Sequence, residues 1–280
     1  MTTEPNASET LPGDGAAAPA KREKKEDSFP VFLIKLLLIV LVFRSFILSP
    51  FNIPSESMLP RLQKGDYLLA SKWSYGYSKY SLPFSAPLIP GRLFASQPER
   101  GDVAIFKAPP GNDVDYIKRV IGLPGDQIQM IGGVLHINGK AVAKERIADA
   151  QYPVSPYNQC HEMFRSKRED GTDTCRYPQY RETLPNGVSY NVLDLGLYAA
   201  DDTQVFVVPE GHLFMMGDNR DNSEDSRFDP EAGGGVGFVP QENLVGKAQV
   251  MMFSTDGSSS WLLPWTWFTA ARWDRIGGRI

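Results

Sequence analysis

The sequence predicts a mostly β fold, a sheet core behind a single N-terminal transmembrane helix. Three observations carry this. Only one long apolar run is present, Phe29–Ser49. The 280 residues include 25 Gly and 22 Pro, a turn-rich composition that disfavours a helix bundle, and 42% hydrophobic residues can supply a core. Beyond residue 50, short apolar runs of β type recur between turn signals.

Residues 1–27, rich in Ala, Glu, Lys and Pro without apolar periodicity, read as a disordered tail. Residues 28–49 read as the anchor, close to the ~20 residues that cross ~30 Å of hydrocarbon. Lys35 and Arg44 lie near its ends, where their stems can snorkel to the headgroups. A cleaved secretory signal would need small residues at its cut site, but Leu48-Ser49-Pro50-Phe51 follows, so the run is read as uncleaved. Lys21, Arg22, Lys24 and Lys25 precede it and Arg61 follows, which puts the N-terminus in the cytoplasm and the rest outside.

Core strands are expected at Tyr67–Ala70, Val103–Phe106, Tyr116–Gly122 and Val134–Ile137, the last meeting Asn138-Gly139, a strong hairpin signal. From 141 to 204 the chain turns polar and reads as an insert lying away from the core's chemistry, so the core comprises 50–140 and 205–280. Val205–Val208 and His212–Met216 resume the β pattern, and a polar loop, Gly217–Arg227, follows. The aromatic stretch Trp261–Phe268 is too short to span; it suits a headgroup interface, with core packing as the alternative. Cys160 and Cys175, both in the insert, suit a disulfide in an oxidising compartment better than a metal site, because no CxxC spacing accompanies them. A net charge of -4 gives no nucleic-acid footprint.

The chemistry-bearing segment is Pro54-Ser55-Glu56-Ser57-Met58-Leu59-Pro60, just past the anchor. At ~3.6 Å per residue, Ser57 lies within roughly 30 Å of the end of the apolar run, a placement that favours a membrane-held substrate. A serine hydroxyl needs a base. The three histidines are scattered and GxSxG is absent, so a Ser-His-Asp triad has little support. Lys118, inside the mostly apolar Tyr116–Ile121, remains: burial would lower its pKa, while a snorkelling surface lysine is the alternative. Period-2 alternation puts Tyr116, Lys118 and Val120 on one face and Ile117, Arg119 and Ile121 on the other, so Lys118 and Arg119 do different work.

Four blocks in order then carry a resemblance: Pro54–Pro60, Arg100–Phe106, Asp115–Asp126 and Met216–Arg227, with Gly237-Phe238-Val239-Pro240 after them. Together with the anchor they resemble bacterial type I signal peptidases, membrane-anchored serine–lysine proteases. The resemblance covers roughly residues 30–140 and 205–280 and implies coiled sheets with a β-rich inserted subdomain. It implies Ser57 as nucleophile, Lys118 as general base, and Ser55 with the Ser57 N–H as oxyanion hole. Ser223 would orient the lysine amine, while Asp225 with Arg227 and Asp218 with Arg119 would form supporting ion pairs. Phe51, Ile53, Pro54, Met58, Leu62, Tyr116 and Ile117 would form substrate pockets. The implied reaction is removal of signal peptides from secretory preproteins after small residues of Ala-x-Ala type, with no metal or organic cofactor. It would proceed at the bacterial inner membrane near the translocation machinery, with the catalytic part periplasmic. Glu56, Arg61, Glu224, the Gly233–Gly235 run and the single span depart from the pattern. A self-cleaving repressor shares the chemistry but would need a DNA-binding domain in place of the anchor; a non-catalytic anchored binding protein is the other rival.

Overall fold

The computed structural model describes residues 1–2, 27–260 and 262–280. The tail expected over 1–27, with its four basic residues, lies outside the described residues except at its ends, and so does Trp261. Two compact units divide the chain, Met1–Leu38 and Ile39–Ile280. Helix α1 (Phe29–Phe46) starts in the first and ends in the second; it is long and apolar enough to cross a membrane, with mean hydropathy 2.3. In the first unit Lys35 donates to the Asp27 carboxylate at 2.6 Å.

The helix stops three residues short of the expected anchor end. Pro50 explains this: the residue before a proline is pushed to extended conformation, and proline has no N–H to continue a helix. Leu48–Asn52 instead form β1, an edge strand, where a missing donor is tolerated. Along the chain follow β2 (Asp66–Ser71), β3 (Tyr77–Ser78), β4 (Arg92–Leu93), β5 (Val103–Lys107) and β6 (Asp115–Gly122). Next come β7 (Gln127–Ile131), β8 (Val134–Ile137), β9 (Lys140–Ala141), β10 (Ala143–Pro153), β11 (Arg165–Lys167), β12 (Asp173–Thr183) and β13 (Ser189–Leu193). The last strands are β14 (Phe206–Val207), β15 (His212–Met216), β16 (Val239–Pro240) and β17 (Leu244–Ser254), followed by a short helix α2 (Thr266–Ala270).

The main sheet runs β1-β2-β17-β5-β6-β15-β16, with every neighbouring pair antiparallel. The long β17 pairs with β2 on one side and β5 on the other, and its register slips at Leu244/Gly246, Ala248/Val250 and Met251/Phe253. Such bulges bend a strand and sharpen its twist, which coils the sheet. The sheet is covered on both faces. Val103 and Ile105 of β5 pack with Ile53, Leu68, Ile117 and Val245, whereas Ala104 and Phe106 pack with Val120, Leu213 and Met215. This is why β5 reads as an unbroken apolar run. A second sheet, β14-β7-β8-β9, closes on the Asn138-Gly139 turn; both residues have positive φ, as a two-residue hairpin of this kind requires. The insert is β-rich, with β10-β12-β11 in order and β13 paired to β12. It carries the Cys160–Cys175 disulfide, with a Cα–Cα distance of 5.7 Å.

Where α1 ends, the Phe46 ring meets the Tyr77 ring edge-on at 5.3 Å, and the Tyr77 hydroxyl donates to the Phe46 carbonyl at 3.0 Å. Near the C-terminus Leu262, Trp265 and Phe268 are exposed, so these side chains are not core packing.

Candidate active site

Two segments meet at the site: the loop after β1, which holds Ser55–Leu59, and the middle of β6. Lys118 Nζ donates to Ser57 Oγ at 2.7 Å, and the two side chains are only 4% and 7% exposed as residues. Lys118 lies on the face of β6 shared with Tyr116, whose ring is 5.4 Å from Nζ. Its neighbour Arg119 turns to the other face and binds Asp218 with both ends of its fork, Nε to Oδ1 at 2.8 Å and Nη2 to Oδ2 at 2.6 Å. Alternation along one strand thus gives adjacent cations separate partners.

Burial dominates the Lys118 amine and pushes its pKa down from 10.5 to about 8; Asp225 and Asp218 work in the opposite direction without overcoming it. Asp225 is itself fully buried. Burial alone would raise its pKa, but Arg227 outweighs that and holds it below the usual carboxylate range. The Arg227 guanidinium donates to both Asp225 oxygens, at 2.9 and 3.0 Å, and the Gly217 N–H donates at 3.0 Å.

Ser55 Oγ stands 3.3 Å from Ser57 Oγ on the exposed side of the loop. The Ser57 carbonyl accepts from the Asn219 N–H at 3.0 Å, and Asn219 Nδ2 donates to the Glu56 carbonyl at 3.1 Å. Asn219 falls inside the block Met216–Arg227 that carries the family resemblance, but the sequence reading assigned it no role. Gly217 must be glycine here, because a Cβ would fall 2.5 Å from the Ser57 carbonyl oxygen and 2.2 Å from Ser223 Oγ.

Three expectations need correction. Ser223 does not hydrogen-bond the Lys118 amine: its hydroxyl is buried without a partner among the described residues. The residue leaves the turn Arg220–Asn222 in extended conformation, which sends the hydroxyl towards Gly217. Second, only part of the expected pocket set lines the cleft beside Ser57. That cleft, about 290 Å³, is walled by residues 54–57 and 114–118, with Asn222, Glu224 and Gly233. Pro54, Tyr116 and Ile117 face it, whereas Ile53, Met58 and Leu62 are 0–2% exposed in the core cluster beneath and Phe51 packs against that cluster. Their apolar side chains gain more from full burial than from lining a half-polar cleft. Third, the insert does not lie away from the site. The Leu193 N–H donates to the Asp218 carbonyl at 2.9 Å, and Leu59, two residues past Ser57, packs with Cys175, Tyr177 and Leu193.

A family model described as "Signal peptidase, peptidase S26" matches residues 27–253. Signal peptidase I of Rickettsia typhi is 43% identical over 229 residues, 79% of this chain and 77% of that protein. The Rickettsia massiliae signal peptidase I is 42% identical over 244 residues, 84% and 81% of the two chains. A solved signal peptidase I from Enterococcus faecalis covers 54% of this chain and 97% of its own, with 25% identity and a TM-score of 0.28. With its family model matched over most of its length and relatives above two-fifths identical, the chain belongs to the signal peptidase family, peptidase S26.

Proposed function

We propose that this protein is a membrane-anchored endopeptidase that removes signal peptides from secretory preproteins, using Ser57 as nucleophile and Lys118 as general base. The observation that carries the reading is the 2.7 Å contact between Nζ and Oγ inside a buried pair beside an open cleft. At pH 7 an amine with a pKa near 8 is neutral in about one molecule in ten, against fewer than one in a thousand for a solvated lysine. The neutral amine takes the Ser57 proton as Oγ attacks the scissile carbonyl. The developing oxyanion is met by the Ser55 hydroxyl and the Ser57 N–H. The lysinium returns its proton to the leaving amine, giving an acyl-enzyme, and the same amine then activates the deacylating water.

Pro54, Tyr116 and Ile117 leave a cleft of modest volume with an apolar wall, which favours small residues of Ala-x-Ala type before the cut. Helix α1 tethers the enzyme in the bacterial inner membrane with the N-terminus cytoplasmic and the catalytic part periplasmic, near the translocation machinery. A disulfide in the insert suits that oxidising side. The exposed Trp265, Phe268 and Leu262 suit an interfacial rim against the lipid bilayer.

The test is cleavage of a model preprotein by Ser57→Ala and Lys118→Arg variants that retain the wild-type fold. Both should be inactive, the second because a guanidinium does not deprotonate in a protein. An active arginine variant would remove lysine from the base role, and an active alanine variant would move the nucleophile to another side chain.

A further inference from the structure

The insert sends two buried side chains into the support of the Ser57–Lys118 pair. Glu182, on β12, accepts from Arg220 Nη2 at 2.6 Å and from the Tyr190 hydroxyl at 2.9 Å. Arg220 sits in the polar loop after β15. Its Nε donates to the Gly217 carbonyl at 3.1 Å, and its own carbonyl accepts from Arg227 Nη2 at 2.5 Å. Tyr190, on β13, lays its ring 4.1 Å from the Arg119 guanidinium, the group that grips Asp218. All three are buried: Glu182 is 1% exposed, Arg220 4% and Tyr190 8%.

The arrangement is expensive for stability alone. Glu182 Oε1 and Arg220 Nη1 are buried without a partner among the described residues. A buried ion pair with unsatisfied atoms seldom outperforms apolar packing of the same volume. Its geometry instead serves position. Arg220 and Arg119, with Arg227 on the Arg220 carbonyl, fix residues 217–220, and that stretch holds Ser57 through Asn219 and the close approach of Gly217. Without Glu182, Arg220 would be a buried unpaired cation close to Asp218, free to compete with Arg119 for it.

We infer that Glu182 and Tyr190 are positioning residues for the Ser57–Lys118 pair, so that the inserted subdomain completes the active site. The inference rests on the serine–lysine reading above. Neither side chain lines the cleft, so both act on the reaction through the loop and not through the substrate. When the loop loosens, water reaches Lys118. The burial that depresses its pKa weakens, and the amine is protonated to higher pH.

The test uses the full chain in detergent micelles, a model preprotein, and kinetics normalised to folded enzyme. Glu182→Gln should lower kcat by about tenfold or more while KM stays within about twofold. Its acidic limb in the kcat–pH profile should move upward by about half a pH unit, which a loss of folded protein would not do. If this variant fails to fold, Tyr190→Phe decides: it keeps the ring under Arg119, loses the hydroxyl's bonds to Glu182 and to Arg220 Nη2, and should lower kcat about threefold with the same direction of limb shift. Glu182→Gln/Arg220→Met, with both buried charges removed, should recover thermal stability but not kcat. Wild-type kcat and an unmoved limb in the folded variants, or recovery of both stability and kcat in the double variant, would overturn the inference. Ser57→Ala runs alongside: if it cleaves, the serine–lysine reading fails, whereas an inert Ser57→Ala beside fully active Glu182 and Tyr190 variants sinks the positioning role alone.

Discussion

The backbone N–H of Asn219 donates to the carbonyl oxygen of Ser57 at 3.0 Å, so the loop after β15 holds the main chain of the proposed nucleophile itself. The Asn219 side chain adds a second hold through its bond to the Glu56 carbonyl, and Arg119 keeps the segment in place through Asp218 next door.

Asn219→Ala should therefore keep the backbone bond and lose the side-chain one. A bond of about 1 kcal/mol is at stake, and kcat should fall roughly fivefold to tenfold with little change in KM. Steady-state kinetics on a model preprotein checks this; a variant that raises KM alone would place Asn219 in substrate binding instead.

The pH dependence follows from Lys118. As the proposed general base its amine must be neutral to act, so kcat should climb with pH and level off above the lysine pKa of about 8. Glu224 favours the charged amine from across the cleft. Glu224→Gln should lower the lysine pKa further and slide the acidic limb to lower pH. A limb that moves up, or stays, would mean another group sets it.

Lys118→Met should abolish cleavage and stabilise the fold at pH 7. The unfolded chain holds the lysine proton up to about pH 10.5, the folded chain only to about 8. Between these values the unfolded state binds more protons, so wild-type stability rises with pH through that window; below pH 8 the whole penalty is present. At about 1.4 kcal/mol per unit the penalty is on the order of 3 kcal/mol, partly offset by the lost bond to Ser57. Denaturant unfolding at pH 7 and pH 11 checks it, since the advantage should vanish at the higher pH.

Reduction of the Cys160–Cys175 disulfide should reach the active site. Cys175 is buried in one cluster with Leu59, Tyr177 and Leu193, and Leu193 bonds the Asp218 carbonyl. The bridge contributes on the order of 3 kcal/mol in the chain-entropy view. Cys160→Ser/Cys175→Ser should lower both the unfolding midpoint and kcat, read by thermal melts and by preprotein cleavage. A reduced protein with wild-type kcat would return the insert to a purely peripheral role.

Local chemistry made much of this protein legible in one dimension. Length and apolarity marked the helix at Phe29. Short apolar runs between turns marked β2, β5, β6 and β8, and Asn138-Gly139 marked the hairpin, because each rests on neighbours a few residues apart. Period-2 alternation alone separated Lys118 from Arg119. What the pattern could not decide was which distant residues meet. Ser57 and Lys118 are 61 positions apart, and only the folded register of β6 against the loop after β1 brings their side chains to hydrogen-bond distance. The same holds where expectation and structure part. Pro50 ended the helix early because β1 had an edge of a sheet to join. Ile53, Met58 and Leu62 went into the core because a buried cluster was there to receive them, and Glu182 reached Arg220 because β12 carries it beneath the loop. Local propensity is written in adjacent residues; a contact across the chain exists only once loop closure and sheet pairing have overcome the entropy that keeps its ends apart.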